Sequence, residues 1–307
     1  MYYFRSFTFR ETILLYRKTE SASKPSLDIY NKACGVRYWQ KNENFANKHD
    51  ILFFFVLSSI LDPAHEEIII IEFGANVGQF SEVILATPHE IPYVVHSIEP
   101  VISLFQTMTN RSSSFRKQKH DKHFLHNIAI SDRTGRVPIY THAPDKPGEA
   151  STLGQGSRLG YRFISEVSVT TLPMFIKTNH IKTPISFVKI DVEGFEPEVI
   201  RGMNLTLNSA LFPLFLFETG GAWRDDRSVL ARTHTIKSFV RMLDILGYDC
   251  FYVGSPYLLP ITGKYWDDSF EDIPRSCNIL SVLRISQTWK NLATKLAHIP
   301  LNSCQWL

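Results

Sequence analysis

From residue 68 onward the chain alternates short unbroken apolar runs with stretches whose apolar residues recur at helical spacing. Ile68-Ile69-Ile70-Ile71 is a β-branched run closed by Glu72-Phe73-Gly74, the pattern of a strand covered on both faces. After Gly78, the residues Phe80, Val83 and Ile84 fall on one helical face, and Thr87-Pro88 ends that helix. Tyr93 to Ile98 reads as a second strand, ending at Glu99-Pro100. A helix near Ile102 to Asn110, a strand near Phe124 to Ile130, a strand at Ile185 to Ile190 and a helix opening at Pro197 follow. Leu214-Phe215-Leu216-Phe217 is another buried strand, ending in Glu218. The residues Ile236, Phe239, Val240, Leu243 and Leu246 mark an amphipathic helix closed by Gly247, before two last strands near Tyr248 to Val253 and Asn278 to Leu283. Alternation of this kind predicts an α/β protein with a largely parallel sheet.

The flanks differ from this core. Residues 1–67 mix aromatic, basic and polar residues around one helical pattern, about Asn44 to Leu61, that Asp62-Pro63 stops. The expected plan is an N-terminal helical cap over 1–67, an α/β domain over 68–285 and a tail over 286–307. Between Ala143 and Gly160 there are four Gly, two Pro and no sustained apolar period, which marks 143–160 as a candidate lid loop.

Composition narrows the class. The 307 residues carry 33 Lys and Arg against 30 Asp and Glu, a net charge of +3, too mild to point to nucleic acid or an anionic membrane. The longest apolar run, Ile51 to Leu61, has eleven residues, where a membrane span needs about 20. No secretory h-region is evident near Met1, so a cytoplasmic location is expected. Cys34, Cys250, Cys277 and Cys304 stand far apart and read as reduced thiols.

The first strand feeds a glycine-bearing turn, Glu72-Phe73-Gly74-Ala75-Asn76-Val77-Gly78, and Glu99 closes the next strand 21 residues after Gly78. Glycines let a backbone approach a ligand, a helix N-terminus offers free N–H groups, and a carboxylate ending the second strand can accept both ribose hydroxyl protons. A pyrophosphate site needs a middle glycine where this chain has Asn76, so NAD and FAD lose ground. A ligand with ribose and adenine but no phosphate suits the turn better, and S-adenosyl-L-methionine is the common one. Glu72 near its amino group and Glu99 on its ribose favour a cationic, hydroxyl-rich molecule.

The segment Phe187-Val188-Lys189-Ile190-Asp191-Val192-Glu193-Gly194-Phe195-Glu196-Pro197-Glu198 makes the reading specific. It resembles the signature of the FkbM family of S-adenosylmethionine-dependent methyltransferases. Further family landmarks follow in order: Glu72 to Gly78, Ile98-Glu99-Pro100, Asn127 to Asp132 ahead of Gly135, and Val169 to Leu172. The resemblance spans roughly Ile51 to Leu283. It implies a Rossmann-like seven-stranded methyltransferase sheet, mostly parallel with the last strand antiparallel. It also implies methyl transfer to a hydroxyl oxygen of a small molecule or carbohydrate. Carried onto this chain, Glu72, Gly74, Ala75, Asn76 and Gly78 line the methionine part, Glu99 and Pro100 the ribose, and Asn127, Ile128 and Ala129 the adenine, with Asp191 at the mouth of the cleft.

A hydroxyl acceptor must lose its proton. Asp191, Glu193 or Glu218 can serve as base, or can hold a divalent cation that acidifies the hydroxyl; Asp191 and Glu193 are the preferred acceptor-side pair, and no metal is indicated. Two other readings use the same residues: a protein or nucleic-acid acceptor docked on the basic run Arg111, Arg116, Lys117, Lys119 and Lys122, or a non-catalytic cofactor-binding protein. His120, His123 and His126 look like a metal series, but on a strand His123 and His126 point to opposite faces.

Overall fold

The computed structural model describes residues 60–297, apart from residues 63, 88, 116–117, 142–150, 154–161, 183, 204–205, 208–210, 220–235, 254–257 and 273–276. The expected helix at Asn44 to Leu61, apart from Ile60 and Leu61, and most of the proposed cap therefore lie outside the described residues, as do Cys34, Cys304 and all of 143–160 except three residues.

The strands, in chain order, are β1 (Ile68–Phe73), β2 (Tyr93–Ile98), β3 (Lys122–His126), β4 (Ala129–Ile130), β5 (Gly135–Thr141), β6 (Ser151–Leu153), β7 (Arg162–Thr170), β8 (Phe187–Ile190), β9 (Leu214–Thr219), β10 (Tyr248–Val253), β11 (Leu258–Pro260) and β12 (Cys277–Leu283). The α-helices are α1 (Gln79–Ala86), α2 (Ile102–Ser112), α3 (Leu172–Thr178), α4 (Glu196–Gly202), α5 (Ile236–Ile245) and α6 (Gln287–Ala297). Eight strands form the main sheet in the order β11-β10-β12-β9-β8-β1-β2-β3. Its centre, from β3 to β9, is parallel, and β12 is wedged antiparallel between β9 and β10. β1 sits at the switch point, with β2 on one side and β8 on the other, which is where an open α/β sheet gathers ligands at its strand carboxyl ends.

The sequence pattern explains the layering. All six residues of β1 and all four of β8 are buried, because both faces of the sheet are covered. One face carries Ile69, Ile71, Val188, Ile190, Phe215 and Phe217 against Phe175, Val199, Ile200, Phe239 and Leu243 of α3, α4 and α5. The other carries Ile68, Ile70, Phe187, Leu214 and Leu216 against Phe80 and Ile84 of α1 and Leu292 of α6. The last helix falls in the segment expected to be a tail; Leu292 is buried at its centre and its Trp289 indole donates to Asp249 over 2.8 Å.

Two features differ from the expectation. The main sheet has an eighth strand, β11, and a second, four-stranded sheet in the order β4-β7-β5-β6 stands between β3 and α3. The strand expected to run unbroken from Phe124 to Ile130 is two strands: β3 pairs with β2 in the main sheet, and after Asn127-Ile128 the chain enters the second sheet as β4 paired with β7. A single apolar run hides this, since both sheets want the same residue types. Three residues of the candidate lid, Ser151–Leu153, are β6 on the rim of that sheet. A separate small core, Val101, Ala129, Val137, Ile139, Val167, Val169 and Phe195, ties the second sheet to the main domain.

Candidate functional site

A cavity opens at the carboxyl ends of β1, β2 and β8. Among its lining residues are Glu72, Gly74, Ala75, Asn76, Gln79, Glu99, Pro100, Ala129, Lys189, Asp191 and Glu193, together with Val101, Leu104, Ile130 and Ile139 on its apolar side. Of the residues singled out in the sequence, Gly78, Asn127, Ile128 and Glu218 are not among those lining it. Each of those four has another place. A Cβ on Gly78 would lie 2.9 Å from Met108, so this glycine permits α1 to pack on α2. The Asn127 side-chain amide donates to the carbonyls of Glu99 and Pro100 over 2.9 and 3.0 Å, strapping the end of β3 to the turn after β2. Ile128 packs against the main core. Glu218 is half-buried and in register with Asn278 of β12.

The turn after β1 is shaped by the close approach of two strands. Gly74 has φ +79°, and a Cβ there would stand 1.7 Å from the carbonyl oxygen of Asp191. Its glycine is required by the β1–β8 seam itself. Asn76 and Glu193 adopt left-handed φ of 51° and 55°, and both line the cavity. Left-handed backbone costs about 1–3 kcal/mol at such residues, and strain of this kind gathers at working sites. The turn that holds Glu193 is fastened from behind by Glu196, fully buried, whose Oε1 accepts the backbone N–H groups of Val192 and Gly194 over 2.9 and 3.3 Å.

Glu99 is 4% exposed. One carboxylate oxygen accepts the N–H of Asn76 and the other that of Val101, each over 2.8 Å. Burial pushes its pKa up to about 7, against the pull of those two hydrogen bonds, and the Asp191 charge adds to the rise. The two N–H groups leave a lone pair on each oxygen, so the group is oriented and still able to accept from a ligand.

Lys189 was read only as part of a motif, yet it organises the site. It is 8% exposed, donates to Asp191 Oδ2 over 2.9 Å, stands 3.8 Å from Glu72 Oε1 and lies over the Phe80 ring. A strand covered on both faces calls for an apolar residue here, and the lone lysine within Phe187–Ile190 was the available signal. Among the described residues the cavity lining thus has four carboxylates, Glu72, Glu99, Asp191 and Glu193, against one ammonium. That donor set fits a cationic ligand bearing hydroxyls, and the apolar side formed by Val101, Leu104, Ile130 and Ile139 fits a flat heterocycle. Among the described residues no group of three His, Cys, Asp or Glu is arranged to hold a metal ion, and no helix is long and apolar enough to cross a membrane. His123 and His126 face opposite sides of β3, reaching Ser97 and His96 respectively.

Comparison with known proteins agrees with the motifs. The Methyltransferase FkbM domain matches residues 72–252, more than half of the chain. No curated protein matches it. Among solved structures, the chain is similar to a methyltransferase FkbM from Methylobacillus flagellatus KT at 15% identity and a TM-score of 0.41, over 70% of this chain. It spans 44% of the length of that protein. An rRNA methylase from Streptococcus thermophilus is similar at 10% identity and a TM-score of 0.36, over 76% of this chain and 95% of its own. The N-terminal domain of human METTL16 is similar at 9% identity and a TM-score of 0.38, over 76% of this chain and 69% of its own. With its domain match running from the Glu72 turn through β10, the chain belongs to the FkbM family of S-adenosylmethionine-dependent methyltransferases.

Proposed function

We propose that this chain moves the methyl group of S-adenosylmethionine to a hydroxyl oxygen of a small molecule or carbohydrate. The observation that carries the reading is the Glu72–Lys189–Asp191 line, which leads from the cavity floor to its mouth and ends in a carboxylate whose side chain is 35% exposed. In this reading Glu99 accepts the ribose hydroxyls, Glu72 and the turn at Gly74 to Asn76 face the amino acid part, and Ala129, Leu104 and Ile139 flank the adenine. The sulfonium supplies an already activated methyl group, so the protein's share is placement, with the reacting atoms held about 3 to 3.5 Å apart. Asp191, fixed by Lys189, takes the acceptor proton, and Glu193 on its strained turn orients the acceptor.

The basic run offers weaker support for a macromolecular acceptor. Arg111 pairs with Glu82 and Lys122 with Glu67, so part of its charge is met within the chain.

The test has two steps. Calorimetry with S-adenosylhomocysteine measures cofactor binding, and mass spectrometry then screens sugars and other hydroxylated molecules for the gain of one methyl group. Product from hydroxyl acceptors, lost in Asp191→Asn with cofactor affinity kept, is the expected result. Product only from amine, protein or RNA acceptors overturns the hydroxyl assignment.

A further inference from the structure

On the face of the sheet that α1 covers, a row of polar side chains crosses an apolar layer. Lys189, Glu72 and Ser97 are partners in register on β8, β1 and β2, and His123 of β3 reaches Ser97 from the edge. Ser81 of α1 closes over the row. Its Oγ donates to Glu72 Oε2 over 2.6 Å and meets Ser97 Oγ at 2.5 Å, and Ser97 Oγ meets His123 Nε2 at 2.9 Å. Ser81 and Ser97 are completely buried and Glu72 is 1% exposed, among Ile70, Val95, Phe80 and Phe187. Alanine suits such a layer better than serine, because a buried hydroxyl is costly unless its hydrogen bonds are made.

The direction of these contacts follows from counting protons. Glu72, as the carboxylate facing the Lys189 ammonium, can only accept. A serine hydroxyl has one proton, and that of Ser81 goes to Glu72. The contact between the serines therefore uses the proton of Ser97, which leaves Ser97 able only to accept from His123. His123 must then carry a proton on Nε2. Every donor in the row points toward Glu72, from the edge strand inward. Hydrogen bonds that run in one direction polarise one another, and a dry interior strengthens them. The Phe115 ring stacks on the imidazole and holds its plane.

We propose that Ser81, Ser97 and His123 are positioning residues for Glu72, and that through it they set the affinity of the cavity for the methyl donor. The inference rests on the reading that Glu72 faces the amino acid part of S-adenosylmethionine. None of the three is among the residues lining the cavity, so their route to a ligand runs through the carboxylate. Ser81 holds Oε2, while Oε1 faces the Lys189 ammonium at 3.8 Å. A carboxylate met on both oxygens keeps one orientation before the ligand arrives, and a group already in place costs less to bind. Without the Ser97 hydroxyl, Ser81 loses the donor behind it and its bond to Glu72 weakens. Without the Ser81 hydroxyl, the route from Ser97 and His123 to the carboxylate is cut. The three residues act in series.

The test combines calorimetry of S-adenosylhomocysteine binding with NMR of the His123 imidazole, both in the full chain. Ser97→Ala and Ser81→Ala each delete one oxygen and leave the layer filled. Ser97→Ala should weaken binding about two- to tenfold, as the loss of one hydrogen bond does, and Ser81→Ala at least as much. The variant with both changes should bind as Ser81→Ala alone does, whereas general loosening of the layer would make the two losses add. Nitrogen–proton correlation spectra should show His123 protonated on Nε2. Additive losses, unchanged affinity in Ser97→Ala, or an imidazole with a bare Nε2 overturns the inference. Glu72→Gln separates it from the reading on which it rests. Weaker binding in Glu72→Gln beside wild-type binding in Ser97→Ala overturns the positioning role alone. Unchanged binding in Glu72→Gln removes Glu72 from the methyl donor, and the positioning role falls with it.

Discussion

Glu72 and Lys189 are partners in register on neighbouring parallel strands, with 1% and 10% of their side chains exposed and 3.8 Å between Oε1 and Nζ. Neither charge has much water around it; Lys189 also donates to Asp191 and Glu72 accepts from Ser81, and the pair links the two sets of contacts. Lys189→Met should destabilise the protein by about 3–5 kcal/mol, because it leaves a carboxylate buried without its cation. Glu72→Gln in the same chain should recover a large part of that loss. Denaturant unfolding of the two single variants and the double variant measures the coupling; additive losses would show that the pair carries no mutual stabilisation.

Glu99 should govern how cofactor affinity varies with pH. With its pKa raised to about 7 before a ligand binds, the carboxyl takes up its proton as pH falls through the neutral range. Ribose hydroxyls favour the carboxylate, so binding expels the proton. Affinity for S-adenosylhomocysteine is therefore full above that pKa and falls as pH drops through it, by up to about tenfold per unit. Glu99→Gln should weaken binding and flatten the pH dependence, and Glu99→Ala should cost about 1.5–3 kcal/mol of binding. Calorimetry between pH 5.5 and 8.5 reads both effects; a wild-type affinity unchanged across that range would remove Glu99 from the ribose.

The two glycines of the turn should answer differently to the same change. Gly74→Ala drives a methyl group into the Asp191 carbonyl from a left-handed backbone and should destabilise by at least about 3 kcal/mol. In Gly78→Ala, also on a left-handed backbone, the methyl group meets only side-chain atoms, Met108 Cγ at 2.9 Å and Phe115 Cζ at 3.1 Å, which can give way further than a strand carbonyl can. The second variant should keep more stability than the first and retain cofactor affinity. Thermal unfolding ranks the two.

His96 should make the fold sensitive to acid. Burial first, and then the neighbouring His126 and His123, lower its pKa to about 3. The native state keeps the ring neutral while the unfolded chain takes up a proton below about 6.5. Stability that is present above pH 6.5 is lost as pH falls from there toward 3, by about 1.4 kcal/mol per unit for this one group. His96→Phe, which keeps a ring beside Phe124 and Phe175, should remove that part of the slope. Unfolding free energies of wild type and variant should diverge between pH 7 and pH 5; parallel curves would mean that His96 is not the group responsible.

How legible this protein was depends on which signal each part uses. The main sheet announces itself through Ile68 to Ile71 and Leu214 to Phe217, since strands covered on both faces need uninterrupted apolar runs. The second sheet was missed because Gly135–Thr141 and Arg162–Thr170, both rich in polar residues, flank a stretch whose Gly and Pro content reads as loop. Glu99, Asn76 and Asp191 were legible as cavity residues through motif spacing. Gly78 is not among the residues lining the cavity, and a glycine that lets two helices pack looks, in sequence, the same as one that admits a ligand. Lys189 was overlooked for a related reason: its importance comes from Glu72, more than a hundred residues away along the chain, and only strand register brings the two together.

The second sheet has one more consequence. The chain enters it at Ala129-Ile130 and leaves at Val169-Thr170, and those residues are direct partners on β4 and β7. Between these points the described residues also reach back to the main domain, with Val137, Ile139 and Val167 packing on Val101 and Phe195, beside the cavity that Ala129, Ile130 and Ile139 help to line. A segment that departs and returns at adjacent points can be exchanged for one of another length or shape without moving β3 or β8. The molecule thus combines a main sheet that carries Glu72, Glu99 and Asp191 with a head that lends Ile139 to the same cavity, and chimeras cut at residues 130 and 169 need to keep Val137, Ile139 and Val167.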